Sequence, residues 1–223
     1  MIPYFTLVLV INNLNLANQQ NKIYQIALGL AIFTIAINII EGFVSILLGY
    51  EGGSLTLFGF GIDSFVEVIS GIGIAHMIIR IRQNAYDHKD SFERNALRIT
   101  GIAFYVLVFT LVVTSIYNIY THHKPETTFW GVIISLISIG LMWGLMYGKI
   151  RVGHELNSRA ILADAECTRV CILMSIVLLA ASGIYELTKV PFIDSGGALG
   201  LAYLSLKEGR EYFQKAKSNE LCS

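Results

Sequence analysis

The chain has 223 residues, 54% of them hydrophobic and only 14% charged, with a mean hydropathy of +0.61. Soluble domains carry about 25% charged residues, so the deficit excludes an ordinary soluble domain, and the long apolar blocks exclude collagen-like, disordered and disulfide-stapled secreted chains. Sixteen basic and sixteen acidic residues cancel, leaving no basic field for nucleic acid.

In chain order, Met1–Ile11 is apolar but lacks a basic leader region and a small-residue cleavage site, and it is too short to span a bilayer. Residues 1–22 are therefore expected to form a peripheral segment. Six apolar blocks follow, at about 23–49, 55–79, 99–120, 128–148, 158–184 and 191–206, and a transmembrane helix needs about 20 residues. The blocks are continuous rather than alternating, which rules out a β-barrel. The expectation is an all-α, multi-pass integral membrane protein: a six-helix transmembrane bundle over 23–206 with a short cytoplasmic tail, 207–223.

With both termini on one side, that side collects Lys22, Arg80, Arg82, Lys89, Arg94, Arg98, Lys149, Arg151, Arg159, Lys207, Arg210, Lys215 and Lys217. The other side has Lys124 and Lys189. This bias puts the N and C termini in the cytoplasm.

Ionisable residues within spans are costly and tend to be functional. The first block holds Glu41, the second Asp63 and Glu67 with His76 towards its inner end, the fifth Asp164, Glu166 and Arg169, and the sixth begins at Asp194. Asp63 and Glu67, at i and i+4, share a helical face about 40° wide. Cys167 and Cys171 repeat that spacing, with Asp164 on the same side. Two such pairs can offer four ligands to one ion, a tetrahedral set that suits zinc. At 1.5 Å per residue, Asp63 and Glu67 lie about 12–18 Å below the outer end of their helix, and the cysteines about 14–20 Å from the inner end of theirs. In a core of about 30 Å both pairs reach the midplane.

Simpler readings stand beside this one. Either cysteine alone fits a small buried hydrophobe, and a lone carboxylate can be protonated or paired with a neighbouring chain. Glu166 and Arg169 are spaced for an ion pair. Glu41 and Asp194 are candidates for a proton or ion route, and Glu41 equally for helix-packing hydrogen bonds. His76 fits the interface, and His122–His123 an outer loop with unspecific metal capture. Gly59, Gly61, Gly71 and Gly73 support close packing along the second helix, and Gly196 and Gly200 have the spacing of a dimer seam.

The segments GFGIDSFVEVISG (59–71) and SRAILADAECTRVC (158–171), with Glu41-Gly42, Gly53-Ser54-Leu55 and Asp194 before Gly196-Gly197, resemble the cation diffusion facilitator superfamily. Within it, they are most similar to the short branch of bacterial cation transporters and to the related eukaryotic vesicular zinc-efflux membrane proteins. The resemblance covers about residues 30–212. It implies a six-helix homodimeric exporter with a midmembrane zinc site between helices two and five, working against a proton gradient. Asp63 and Glu67 match the family's helix-two acidic pair in type. Cys167 and Cys171 occupy the place of its helix-five His and Asp. The short branch's ADA-x-x-T-x-x-C pattern fits Asp164, Thr168 and Cys171, making Asp164 an alternative to Cys167 as fourth ligand. The superfamily's cytosolic metal-binding domain is not expected, and Ser195 stands where a proline would follow Asp194.

The functional expectation is export of a divalent transition metal, zinc first and cadmium or copper(I) as softer alternatives, through Asp63, Glu67, Cys167, Cys171 and Asp164. Such ligands release protons on binding metal, which permits proton antiport. No P-loop points to nucleotide, no cofactor is expected, and no nucleophile–base pair points to an enzyme. The expected partners are the lipid bilayer, metal ions, protons and a second copy of the chain, in a prokaryotic plasma membrane. Two other readings remain open: a non-transporting metal-binding or dimeric membrane scaffold, and a proton-coupled exporter of organic cations.

Overall fold

The apolar blocks fold as six helices in the computed structural model: α1 (Tyr4–Glu51), α2 (Leu55–Arg82), α3 (Lys89–Thr121), α4 (Phe129–Glu155), α5 (Arg159–Thr188) and α6 (Phe192–Lys217). The structure describes residues 4–82, 89–121, 124–126, 128–190 and 192–217, with side chains for all of these except 4–20, 80–82, 89–97, 159, 160, 163 and 215. No strand occurs among the described residues. By length and composition, Asn21–Glu51, Leu55–Ile79, Arg98–Thr121, Phe129–Glu155 and Asp164–Thr188 can cross a membrane. The apolar run of α6 is shorter, bounded by Asp194 and by the charges from Lys207 onward.

From Tyr4 onward the N-terminal segment is helical. α1 continues without a break from Tyr4, and its 48 residues correspond to about 72 Å of helix against a core of about 30 Å. Helix likewise carries the expected tail as far as Lys217. No glycine or proline lies between Tyr4 and Leu28 to interrupt α1.

α1 packs chiefly on α2, α3 on α6, and α4 on α5, while α2 also touches α3, α5 and α6. The main core joins Leu57, Phe60 and Val66 of α2 to Phe104, Leu107 and Leu111 of α3, Met174 and Leu178 of α5, and Leu201 of α6. Large apolar side chains such as Phe43, Phe109, Trp143 and Tyr203 are exposed on the outside, as lipid-facing surfaces require. α1 and α2 approach closely at Gly61, where an added Cβ would lie 2.8 Å from the backbone nitrogen of Ile46.

A tight turn joins α4 to α5. Asn157 adopts φ 47°, a left-handed conformation that asparagine tolerates, and the Ser158 N–H bonds the Gly153 carbonyl at 2.9 Å. The Ser158 hydroxyl then caps α5 by accepting from the Ile161 N–H at 3.4 Å. This hairpin fixes the register that sets Lys149 opposite Asp164.

Candidate metal site

The antiparallel contact of α2 with α5 brings the acidic face of one helix to the thiol face of the other. The Cys171 thiol donates to Asp63 Oδ2 at 3.7 Å. One turn further in, the Thr168 hydroxyl lies 3.2 Å from Glu67 Oε1 and the same distance from the carbonyl of Asp164. Both contacts follow from the spacing: four residues inward on α2 match three residues inward on α5. Asp63, Glu67, Asp164, Thr168, Cys167 and Cys171 are all buried.

The two cysteines differ. Cys171 faces the α2 carboxylates, whereas Cys167 belongs to the main apolar core and has the Tyr212 hydroxyl of α6 as hydrogen-bond partner. Tyr212 is also a partner of Ser70.

Lys149 has the sequence position of an inner-face charge, but it is buried, with 1% of its surface exposed. Its Nζ lies 2.9 Å from Asp164 Oδ2 and donates to Thr168 Oγ1 at 2.8 Å. A buried ammonium is tolerable only when paired in this way. Asp164, a candidate ligand by spacing, is thus held by a cation from α4. Asp164 Oδ1 and Glu67 Oε2 are buried without a hydrogen-bond partner, an arrangement that is rare for carboxylate oxygens. Among the described residues, no three of His, Cys, Asp and Glu are gathered closely enough to hold an ion as they stand.

Glu41 accepts from the Ser64 hydroxyl at 3.3 Å and has Ser138 of α4 as a further partner. It lines a groove of about 310 Å³ with Ile37, Ile40, Val44, Ile134, Ile137 and Leu141. Asp194 is far from this centre. Its Oδ2 accepts from the Leu55 N–H at 2.7 Å and its Oδ1 from the Ser54 hydroxyl at 2.6 Å, so it caps α2. Glu186 does the same for α4, accepting from the Thr128 N–H at 2.6 Å. Glu166 and Arg169 lie on the exposed side of α5, and His76 is exposed on α2. His122 and His123 lie outside the described residues. A Cβ added at Gly200 would lie 3.2 Å from Val177 Cγ1, while at Gly196 nothing lies within 4 Å of one.

Sequence reasoning missed Lys149, Ser64, Ser138 and Tyr212. Lys149 was visible only as one of the charges near the inner end of α4, with Arg151, His154 and Glu155; nothing in the spacing marks the others.

Residues 31–219 match the cation efflux transmembrane domain. Transmembrane protein 163 of Xenopus laevis is 26% identical over 183 residues, covering 80% of this chain and 64% of that protein. The chain therefore spans just under two thirds of its relative's length. That relative is eukaryotic, so a prokaryotic plasma membrane does not follow from the likeness. A match over most of the residues, an all-helical bundle and five apolar spans agree: the chain belongs to the cation efflux family of multi-pass membrane proteins.

Proposed function

We propose that the protein exports a divalent transition metal, zinc first, through a site that Asp63, Glu67 and Cys171 form between α2 and α5. The observation that carries this is the 3.7 Å separation of Cys171 Sγ and Asp63 Oδ2. Two tetrahedral ligands with Zn–S of about 2.3 Å and Zn–O of about 2.1 Å stand about 3.6 Å apart, so this pair needs little movement to share an ion. Glu67, one turn away with an unpartnered oxygen, supplies a third ligand by a small rotation. A fourth comes from Cys167, or from water. Thiolate and carboxylate groups exchange metal for protons, so exposure to an acidic outer side unloads the ion and gives antiport. A thiolate ligand extends the range to cadmium or copper(I) and disfavours magnesium and calcium. A homodimer is the working assembly, as the family resemblance implies.

Zinc flux into proteoliposomes, followed with an internal pH dye, tests this. Zinc uptake with matching proton release is expected, and it should be lost in Asp63→Ala and Cys171→Ala. Unchanged flux in both variants would remove the site.

The groove around Glu41 favours a second reading, export of organic cations. Its volume of about 310 Å³ is at the lower end of ligand pockets, and its one carboxylate sits among apolar side chains. Ethidium flux that depends on Glu41 and not on Cys171 would select this reading over the first.

A further inference from the structure

Lys149 has no part in the ligand set, yet it is joined to it. Its ammonium bonds Asp164 and Thr168, at 2.9 Å and 2.8 Å, and Thr168 is in turn the partner of Glu67. The polar string from α4 through α5 to α2 therefore starts at a fixed positive charge. Two carboxylate oxygens on this string, Asp164 Oδ1 and Glu67 Oε2, are left without partners.

We infer that Lys149 is a tethered cation that sets the charge of the site and keeps Asp164 out of the ligand set, so that a divalent ion binds reversibly instead of being trapped. This rests on the reading of the α2–α5 contact as a metal site. Asp63, Glu67 and Asp164 as carboxylates and Cys171 as thiolate, against one ammonium, leave three net negative charges at the centre, of which a divalent ion offsets two. Without Lys149 there would be four, and Asp164 would be free to turn towards the ion. In the low-dielectric interior, a positive charge joined to the site through Thr168 opposes binding of a divalent ion. The side chain weakens the hold on the cargo while its own burial is made tolerable by Asp164. Lys149 is thus a positioning residue, and does not touch the cargo.

Equilibrium zinc binding by the purified full-length protein in detergent, read by competition with a chromophoric chelator, tests this in wild type, K149R, K149M and K149M/D164N. K149M is expected to bind zinc about ten-fold tighter or more, and K149R to bind like wild type. K149M/D164N, in which the net charge is restored, is expected to stay within about two-fold of wild type. A merely structural lysine would have the opposite sign, because its loss would loosen the site and weaken binding. Wild type binding zinc while K149M binds equally or more weakly overturns this inference and leaves the metal site standing. Should K149M fail to fold, the double variant decides: near wild-type affinity supports the inference, whereas a loss of about ten-fold makes Asp164 a ligand and overturns it. No zinc binding by wild type removes both the site and the inference.

Discussion

Asp194 Oδ2 accepts a hydrogen bond from the Leu55 N–H at 2.7 Å, so an acidic residue of α6 caps the first turn of α2. The same carboxylate accepts from the Ser54 hydroxyl at 2.6 Å and from the Thr56 N–H at 3.3 Å. It answers both the unpaired N–H groups and the positive end of the helix dipole. Its loss leaves buried donors unsatisfied, so Asp194→Ala should cost about 1–3 kcal/mol, seen as a lower thermal midpoint in detergent. Asp194→Asn keeps acceptor oxygen but no charge and should lose less. If Asp194 instead relays protons, Asp194→Asn would fold normally and abolish proton-coupled flux, an outcome that would count against the capping role as its main one.

The division between the cysteines gives a second expectation. Cys171 stands against Asp63, and Cys167 packs in the apolar core beside Tyr212. Sulfur ligation favours soft ions, so Cys171→Ser should reduce cadmium affinity more than zinc affinity, by about ten-fold or more (about 1.4 kcal/mol). Cys167→Ser should change metal affinity less and stability more, because it places a hydroxyl in a packed core. X-ray absorption on the zinc-loaded protein would show the loss of a Zn–S contact near about 2.3 Å in the first variant. Retention of that contact in Cys171→Ser and its loss in Cys167→Ser would reverse the assignment.

Much of the architecture could be read along the chain because lipid imposes a one-dimensional rule: a span must be apolar for about 20 residues. The same rule made Asp63, Glu67, Asp164 and the cysteines conspicuous, and helix geometry then matched the depths of two segments a hundred residues apart. Lys149 escaped because a lysine two residues before Arg151 near the end of an apolar block looks like part of the inner-face charge. Only the α4–α5 turn, which sets it against Asp164, separates the two. Asp194 was legible as a buried charge but not as a cap, since Ser54 and Leu55 are 140 and 139 positions away. The continuity of α1 past residue 22 was hidden for a different reason: hydropathy marks where a helix can be in lipid, and does not mark where the helix begins.

The Lys149–Asp164 pair also carries a stability expectation separate from its effect on binding. Both side chains are 2% exposed, so neither partner can recover hydration if the other is removed. Asp164→Leu, which strands a buried ammonium, should destabilise by about 3–5 kcal/mol. Replacing both partners, as in K149M/D164L, should recover most of that loss, because well-packed apolar groups can replace a buried pair at little cost. Thermal unfolding in detergent for the singles and the double closes the cycle. Equal losses that simply add would mean that the two charges do not stabilise one another.

Gly61 links packing to the site. A Cβ there would fall 2.8 Å from Ile46 N and 2.9 Å from Ser45 Cβ, contacts that α1 can relieve only by moving its backbone. Gly61→Leu should therefore cost about 1–3 kcal/mol. Gly183→Leu, where nothing lies within 4 Å, should be near neutral. α2 is gripped by α1 on one side and by α5 on the other, so a shift forced at Gly61 is passed to Asp63 two residues on. The contact with Cys171 is already 3.7 Å, and widening it would move one ligand further from the about 3.6 Å that a shared tetrahedral ion requires. Gly61→Leu is thus expected to lower zinc affinity although it touches no ligand. A folded Gly61→Leu protein with wild-type affinity would mean that the site does not depend on how closely α1 holds α2.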